Sequence, residues 1–268
     1  MKWASDAEKY ISRVPFFVRR RVKKRVEEEA KRRGSSTVTL EHVTSVQKRF
    51  LKNMESEIRG FRVETCFGQG GCKNRAVAHD GLAQELEVLL ASKNMLEFLR
   101  SKVQGPLKMH NEFKVTISDC PNACSRPQIS DIGVIGAALP SLSADRCTFC
   151  GECEAVCKEG AVVMDSREGP MFDMDKCLYC GECIRACPAD ALEPEVTGYR
   201  VLVGGRLGRH PKLAHELPGI YSPRQVKALV ESCVELYKSE CESGERFGEV
   251  LEKTGTELLI EKAFGSKD

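Results

Sequence analysis

The chain has 268 residues and sets 41 Lys and Arg against 39 Asp and Glu, a formal charge of +2 that excludes a surface built throughout to hold nucleic acid or anionic lipid. No run of about 20 apolar residues is present and Met1 to Ser12 lacks the apolar centre of a signal peptide, so no membrane involvement and a cytoplasmic location are expected. Its 14 cysteines, in a reducing compartment, are unsuited to structural disulfides, which leaves metal or cluster ligation.

The length predicts about two domains. Between Ser12 and Arg33, ten Lys or Arg stand against three Glu, a local excess of +7, and residues 1–55 are read as a small basic helical domain. No aromatic interleaving or base-reading motif accompanies the charge, so a helical docking domain with a solvated basic face, suited to an acidic redox partner, is preferred over DNA binding.

From residue 56 the pattern changes. Cys66 and Cys72 form a C-x5-C pair. Leu82, Leu86, Leu89 and Leu90 fall at helical spacing. Phe113, Val115 and Ile117 alternate with Lys114, Thr116 and Ser118, a half-buried strand that delivers Cys120 at its end. Pro121 and Asn122 then turn the chain toward Cys124, the second member of a C-x3-C pair. A further strand is expected over Ile129 to Ile135.

The next segment, 143–195, carries the strongest signal. Cys147, Cys150, Cys153 and Cys157 read C-x2-C-x2-C-x3-C, and Cys177, Cys180, Cys183 and Cys187 repeat the run before Pro188. DRCTFCGECEAVCKEGAVVMD and DKCLYCGECIRACPADALEPE align as an internal repeat, the mark of the two-cluster bacterial ferredoxin module. Three closely spaced thiolates wrap one face of a 4Fe-4S cube and the fourth ligand comes from the other run. Cys147, Cys150, Cys153 and Cys187 are therefore expected to hold one cluster, and Cys177, Cys180, Cys183 and Cys157 another. Gly151 and Gly181 allow the tight turns around each cube. Tetrahedral zinc also uses C-x2-C pairs, but has no use for tandem runs with exchanged fourth ligands. Lys158 stands where the usual proline would follow the first run.

After the insertion, Tyr199 to Val203 reads as a strand. Ser222, Pro223 and Gln225 are placed as N-cap, N1 and N3 of a final helix. On that helix Val226, Leu229, Val230, Cys233, Tyr237 and Cys241 form one stripe, so Cys233 and Cys241 are expected to pack in the core as small hydrophobes, roughly 12 Å apart and beyond bridging distance.

The segments RVETCFGQGGC, FKVTISDCPNACSRPQISDIGVIGA and GYRVLVGGRLGRHPKLA, interrupted by the ferredoxin block, resemble the sirohaem and 4Fe-4S half-domain of sulfite and nitrite reductases. The resemblance runs from about Arg62 to Gly255 and divides the reductase-like part into 56–142 and 196–268. It implies that Cys66, Cys72, Cys120 and Cys124 bind a third 4Fe-4S cluster, with Cys124 also the axial ligand of the sirohaem iron and Asn122 a further cofactor-binding residue. Sirohaem carries eight carboxylates and the substrate is an anion, so cations are needed. Arg62, Lys114, Arg126 and Arg206 are the candidates within the motifs, with Lys108, His110, Arg209 and His210 as weaker ones. At the N-terminus, VEEEAKRRGSSTVTLEHV resembles a histone-fold helix, strand and helix. The longer stretch from Trp3 to about Leu51 resembles the C-terminal helical domain of the light-independent protochlorophyllide reductase B subunit.

The resulting expectation is an α+β fold with an inserted two-cluster ferredoxin fold and a small N-terminal helical domain. The function it implies is reduction of sulfite or nitrite at sirohaem, with electrons relayed from a redox donor protein through the inserted clusters. Full-length members of the family contain two pseudo-symmetric halves, and one half is recognisable here, which leaves the haem to be covered by a second protomer, by a partner subunit, or not at all. The rival readings are a non-catalytic electron-transfer subunit with three 4Fe-4S clusters and an iron-sulfur nucleic-acid-binding protein.

Overall fold

A computed structural model describes residues 1–78 and 80–265, so the last three residues of the 196–268 segment lie outside the described residues. The chain divides into two compact units, residues 1–58 with 105–110, and residues 59–104 with 111–268.

In the first unit a two-residue strand, β1 (Lys2–Trp3), leads into α1 (Ser5–Ile11) and α2 (Phe16–Arg32). A short parallel partner, β2 (Thr37–Val38), precedes α3 (Leu40–Ser56). The basic run is α2. Val18, Val22, Val26 and Ala30 recur every four residues and give this highly charged helix one apolar stripe. Val26 and Ala30 are fully buried against Ala7, Ile11, Val38, Val43 and Val46. Lys31 and Arg32 occupy the last turn, where cations complement the helix dipole. One carboxylate is drawn into this core: Glu29 is buried and bonded to Arg32, Arg33 and Arg49, each at 2.9 Å. The Arg32 hydrogen bond is foremost among the contacts that hold Glu29 down at about 2.

The second unit is built on a five-stranded sheet. Its elements in chain order are β3 (Phe61–Thr65), α4 (Leu82–Ser92), α5 (Met95–Lys102), β4 (Phe113–Ser118), β5 (Ile132–Leu142), α6 (Glu152–Ala155), β6 (Val162–Asp165), β7 (Gly169–Phe172), α7 (Glu182–Ala186), β8 (Leu192–Val203), β9 (His215–Glu216), α8 (Pro223–Glu240), α9 (Phe247–Thr254) and α10 (Glu257–Phe264). The sheet order is β3-β4-β5-β8-β9. β3, β4 and β5 run parallel, whereas β5–β8 and β8–β9 are antiparallel.

The expected α4 helix forms and buries Leu82, Leu86 and Leu90, while Leu89 is only half-buried. α8 starts as expected, with a capping box between Ser222 and Gln225 and Pro223 at its first position. It buries Val226, Leu229, Val230, Cys233 and Tyr237; Cys241 is its C-cap and is also buried. Phe113, Tyr237 and Phe247 pack ring on ring at 5.3 to 5.8 Å and join β4 to α8 and α9.

Two strands depart from expectation. The strand anticipated over Ile129 to Ile135 begins at Ile132, because Pro127–Ile129 form a 3-10 turn, and it continues to Leu142. The strand anticipated over Tyr199 to Val203 begins already at Leu192. These two form one long antiparallel ribbon, paired from Ile132↔Val203 out to Leu142↔Leu192, with a bulge between Leu139 and Pro140. Near-continuous burial of Ile132 to Ala138 removes the alternation by which a half-exposed strand is recognised. The cysteine-rich segment hangs from the far end of this ribbon. It contains α6, α7 and the β6–β7 hairpin around its own small core of Cys153, Val162, Cys183 and Leu192.

Candidate functional site

Three groups of thiols gather in the second unit. The first forms where two neighbouring parallel strands end. Because Thr65 of β3 lies beside Ile117 of β4, Cys66 emerges next to Ser118 and Asp119, one residue short of Cys120. The Cys66 N–H donates to the Ile117 carbonyl at 3.0 Å. The Cys66 Sγ accepts from the N–H groups of Gly68 and Asp119, both at 3.3 Å. The 3-10 turn Phe67–Gly70 brings the chain back, and the Cys72 N–H bonds the Gly68 carbonyl at 3.2 Å. Burial pushes the Cys120 thiol above its ordinary range, opposed by the Asn122 N–H and reinforced by Cys124, Cys66 and Cys72, so all four sulfurs share one electrostatic neighbourhood. Cys120 is buried and Cys124 is exposed.

Asp119 anchors this corner. Its carbonyl accepts from Ala76 at 2.8 Å, and its carboxylate lies 3.0 Å from Arg75, which also pairs with Asp80. Burial raises the Asp119 carboxyl against the pull of Arg75. The corner leaves room for glycine only: a β-carbon on Gly136 would meet the Asp119 carbonyl oxygen at 2.3 Å.

The other two groups lie in the cysteine-rich segment between β5 and β8 and exchange members between its two runs. One cavity is lined by Cys147, Cys150, Cys153 and, from the second run, Cys187, together with Leu142 and Leu192. In the other group burial pushes Cys183 up to about 12, reinforced by Cys180, Cys177 and Cys157. Cys177 is likewise raised by burial and by Cys180 and Cys157. The local backbone repeats with a spacing of 30 residues, as from 147 to 177. Phe149 and Tyr179 are left-handed at φ 55° and 57°, followed by Gly151 and Gly181 at 78° and 68°. Ala161 and Ala191 donate N–H bonds to Cys157 and Cys187 Sγ at 3.3 and 3.2 Å. Lys158 in place of proline leaves this repeat intact.

Among the described residues no group of three or more His, Cys, Asp or Glu side chains is arranged to hold a single metal ion. The donor chemistry instead matches polynuclear clusters: four thiols per group with backbone N–H groups directed at sulfur. Cys233 and Cys241 stand apart in the core, both raised by burial.

The candidate cations separate. Arg62 and Lys114 are register partners on β3 and β4, but both face carboxylates. Arg62 bonds Glu112 at 2.9 Å and reaches Glu64 at 3.5 Å, while Lys114 pairs with Glu64 at 2.8 Å. Although burial opposes its charge, Glu64 is held below the usual carboxylate range by Lys114 and Arg62. Arg206 lies 3.1 Å from Glu252 and donates to the His210 carbonyl at 3.1 Å. Arg126, two residues beyond Cys124, sits in a left-handed turn at φ 60° with its side chain exposed. Asn122 is also exposed, and so are Arg209 and His210. Lys108 and His110 belong to the first unit. No local pattern announces the corner of Gly68, Arg75 and Asp119 beyond the glycine-rich FGQGGC.

A family model described as the nitrite and sulphite reductase 4Fe-4S domain matches residues 61–267, and one described as the proto-chlorophyllide reductase 57 kD subunit matches residues 3–46. The chain is 32% identical over 200 residues to a coenzyme F420-dependent sulfite reductase of Methanocaldococcus jannaschii, covering 74% of this chain and 30% of that protein. It is 28% identical over 138 residues to the C subunit of the anaerobic sulfite reductase of Salmonella typhimurium, covering 46% and 36%. It thus spans about a third of the length of each of these relatives. Over 41 residues it is 49% identical to the B subunit of the light-independent protochlorophyllide reductase of Chlorobium phaeobacteroides, 15% of this chain and 8% of that one. In fold it is similar to dissimilatory sulfite reductase I, with a TM-score of 0.52 and 21% identity over 77% of this chain and 52% of that one.

Proposed function

Because the chain belongs to the nitrite and sulphite reductase 4Fe-4S domain family, a family of oxidoreductases, we propose that it takes part in reducing sulfite, with nitrite as the neighbouring substrate, using sirohaem and three 4Fe-4S clusters. When bound, these groups supply the one-electron steps that a multi-electron reduction of an oxyanion requires. In this reading Cys66, Cys72, Cys120 and Cys124 hold one cluster. Cys147, Cys150, Cys153 and Cys187 hold the second, and Cys177, Cys180, Cys183 and Cys157 the third.

The observation that carries the reading is the corner where β3 and β4 end. Two cysteine pairs from separate loops are brought together there, Asp119 ties Cys66, Arg75 and Ala76 to one another, and two thiols, Cys72 and Cys124, are left exposed. A buried Cys120 with these exposed thiols suits a cluster that is shielded on one side and open on the other, and the family resemblance makes Cys124 the thiolate that would face a haem iron. Arg126 is the side chain best placed to bind a haem carboxylate or the oxyanion, being both exposed and close in sequence to Cys124. Arg62 and Lys114 tune the neighbouring sheet edge through their bonds to Glu64 and Glu112.

Pairing of the candidate cations favours a second reading. Three of the four, Arg62, Lys114 and Arg206, already bond carboxylates. This suits an electron-transfer subunit that leaves the oxyanion to another protein. An anaerobic preparation of the full chain separates the two. A sirohaem Soret band together with sulfite- or nitrite-dependent oxidation of reduced methyl viologen supports the reductase. About twelve iron and twelve sulfide with no tetrapyrrole supports the electron carrier.

A further inference from the structure

We propose that Arg185 is a positioning residue that seats the Cys157, Cys177, Cys180 and Cys183 group against the Cys66, Cys72, Cys120 and Cys124 group, and so sets the direction of the relay. The former is then the inner station, and the Cys147, Cys150, Cys153 and Cys187 group is the outer one, where electrons arrive. The inference rests on the cluster assignments above.

The two runs are near copies, yet among the described residues the hydrogen bonds to the Cys72 loop and to Ala138 come from the second, while the first has the pairing of Arg146 with Glu193 at the foot of β8. Arg185 Nη1 donates to the Cys180 carbonyl and to the Arg75 carbonyl, both at 3.2 Å, and Nη2 lies 3.2 Å from Glu182. Arg75 follows Cys72 by three residues, and its own side chain grips Asp119 beside Cys120. One guanidinium thus ties the loop of one thiol group to the loop of the other. On the sheet side, the Ala138 N–H donates to the Tyr179 carbonyl at 2.8 Å, and Ala138 pairs with Cys180 as an isolated bridge. Arg200 donates to the Leu178 carbonyl at 3.3 Å. The cleft at this junction, about 250 Å³, is lined by Cys120 from one group and by Cys157 and Cys180 from the other.

Among the described residues the first run makes none of these hydrogen bonds, although its last residues, Val156 to Glu159, line the same cleft. The position equivalent to Arg185, 30 residues earlier, is Ala155. A β-carbon on Gly181 would touch Ala138 at 3.2 Å, whereas one on Gly151 would meet nothing within 4 Å. The cavity of Cys147, Cys150, Cys153 and Cys187 is lined only by residues of the insertion and its two stems, and Cys150 and Phe149 are exposed. Since electron transfer weakens steeply with distance, the docked run is the one that feeds the sheet. Each step moves one electron from a reduced cluster to an oxidised one, without making or breaking a bond. The first electron comes from a reduced one-electron carrier.

The test uses the full chain, loaded anaerobically and reduced with dithionite, with magnetic interaction between reduced clusters read by EPR. Arg185→Leu is expected to keep its iron, lose the interaction between the inner and sheet clusters, and slow reduction of the sheet cluster by on the order of tenfold in rapid mixing. Arg185→Lys is expected to restore part of both. An unchanged interaction and rate in Arg185→Leu overturns the proposal. Should that variant fail to assemble, paired cysteine variants decide. Removing the outer cluster with Cys147→Ala and Cys150→Ala should leave the interaction with the sheet cluster, while Cys177→Ala and Cys180→Ala should abolish it; the reverse pattern overturns the order. Wild-type protein with three clusters and no Soret band sinks the sirohaem reading while leaving this order standing. Wild-type protein with no iron-sulfur signal sinks both.

Discussion

Gly68 and Asp119 are packed so closely that a β-carbon at position 68 would lie 2.0 Å from the Asp119 Oδ2 and 2.6 Å from its Cγ. The whole carboxylate, not a flexible tip, blocks the space. Any side chain at 68 must therefore push Asp119 away from Cys66 Sγ and from Arg75.

Gly68→Ala is accordingly expected to cost about 1–3 kcal/mol, the range for overpacking a tight site, and to loosen the Cys66 and Cys120 corner. Visible absorbance and acid-labile sulfide measure the effect. Loss of about one cluster in three, with the ferredoxin-type signals kept, is the expected result. Normal cluster content with unchanged stability would show that the corner yields freely.

Asp131 is buried, and it receives Arg246 at 3.1 Å and the Lys114 N–H at 2.9 Å. Arg246→Leu strands this carboxylate without its cation and should destabilise the second unit by about 3–5 kcal/mol in urea denaturation. Asp131→Asn combined with Arg246→Leu should recover part of that loss, because no charge is then left buried. A double variant as unstable as Arg246→Leu alone would contradict this account.

Glu29 makes the first unit acid-sensitive. Its carboxyl is held at about 2 by hydrogen bonds from Arg32, Arg49 and Arg33, below the 4.5 of a free glutamate. A depressed carboxylate stabilises the fold at pH values above the free-chain pKa, and that contribution fades as pH falls through the folded value. Stability of the first unit should thus decline between about pH 4.5 and 2. Trp3, the one tryptophan, donates to Glu27 at 2.9 Å within this unit, so its fluorescence follows the transition. Glu29→Gln should flatten this part of the profile; an unaltered acid limb would refute the role.

The exchange of cysteines between runs has a crosswise signature. Cys157→Ala, although it sits in the first run, should impair the cluster of Cys177, Cys180 and Cys183, and Cys187→Ala should impair that of Cys147, Cys150 and Cys153. Cys233→Ala should leave iron content untouched and register only as a loss of packing. Cys124→Ser should abolish a sirohaem band while sparing the ferredoxin-type clusters. EPR and iron analysis read all four variants, and a Cys157→Ala protein that loses its own run's cluster instead would reverse the pairing.

The gathering of the thiols was legible in the sequence because most members of each group lie a few residues apart, so their meeting is written locally. The Ser222 to Gln225 cap was legible for the same reason. The long ribbon was not: Pro140 and Pro194 lie within it as register partners although proline is rare inside strands, and unbroken burial of Ile132 to Ala138 and unbroken exposure of Glu193 to Thr197 erase its period. The pairing of Arg62 with Glu112 spans 50 positions, and that of Asp131 with Arg246 spans 115. Such partners are chosen by strand register and helix docking, which no local pattern announces. Hence the thiols could be grouped by spacing, while the cations could only be nominated.

The ribbon of β5 and β8 brings Leu142 and Leu192 side by side at the root of the cysteine-rich segment. A segment whose two ends are neighbours can be bypassed by no more than a hairpin turn with the sheet order kept. What its removal would take away is the set of bonds that Arg185, Tyr179 and Leu178 make to Arg75, Ala138 and Arg200.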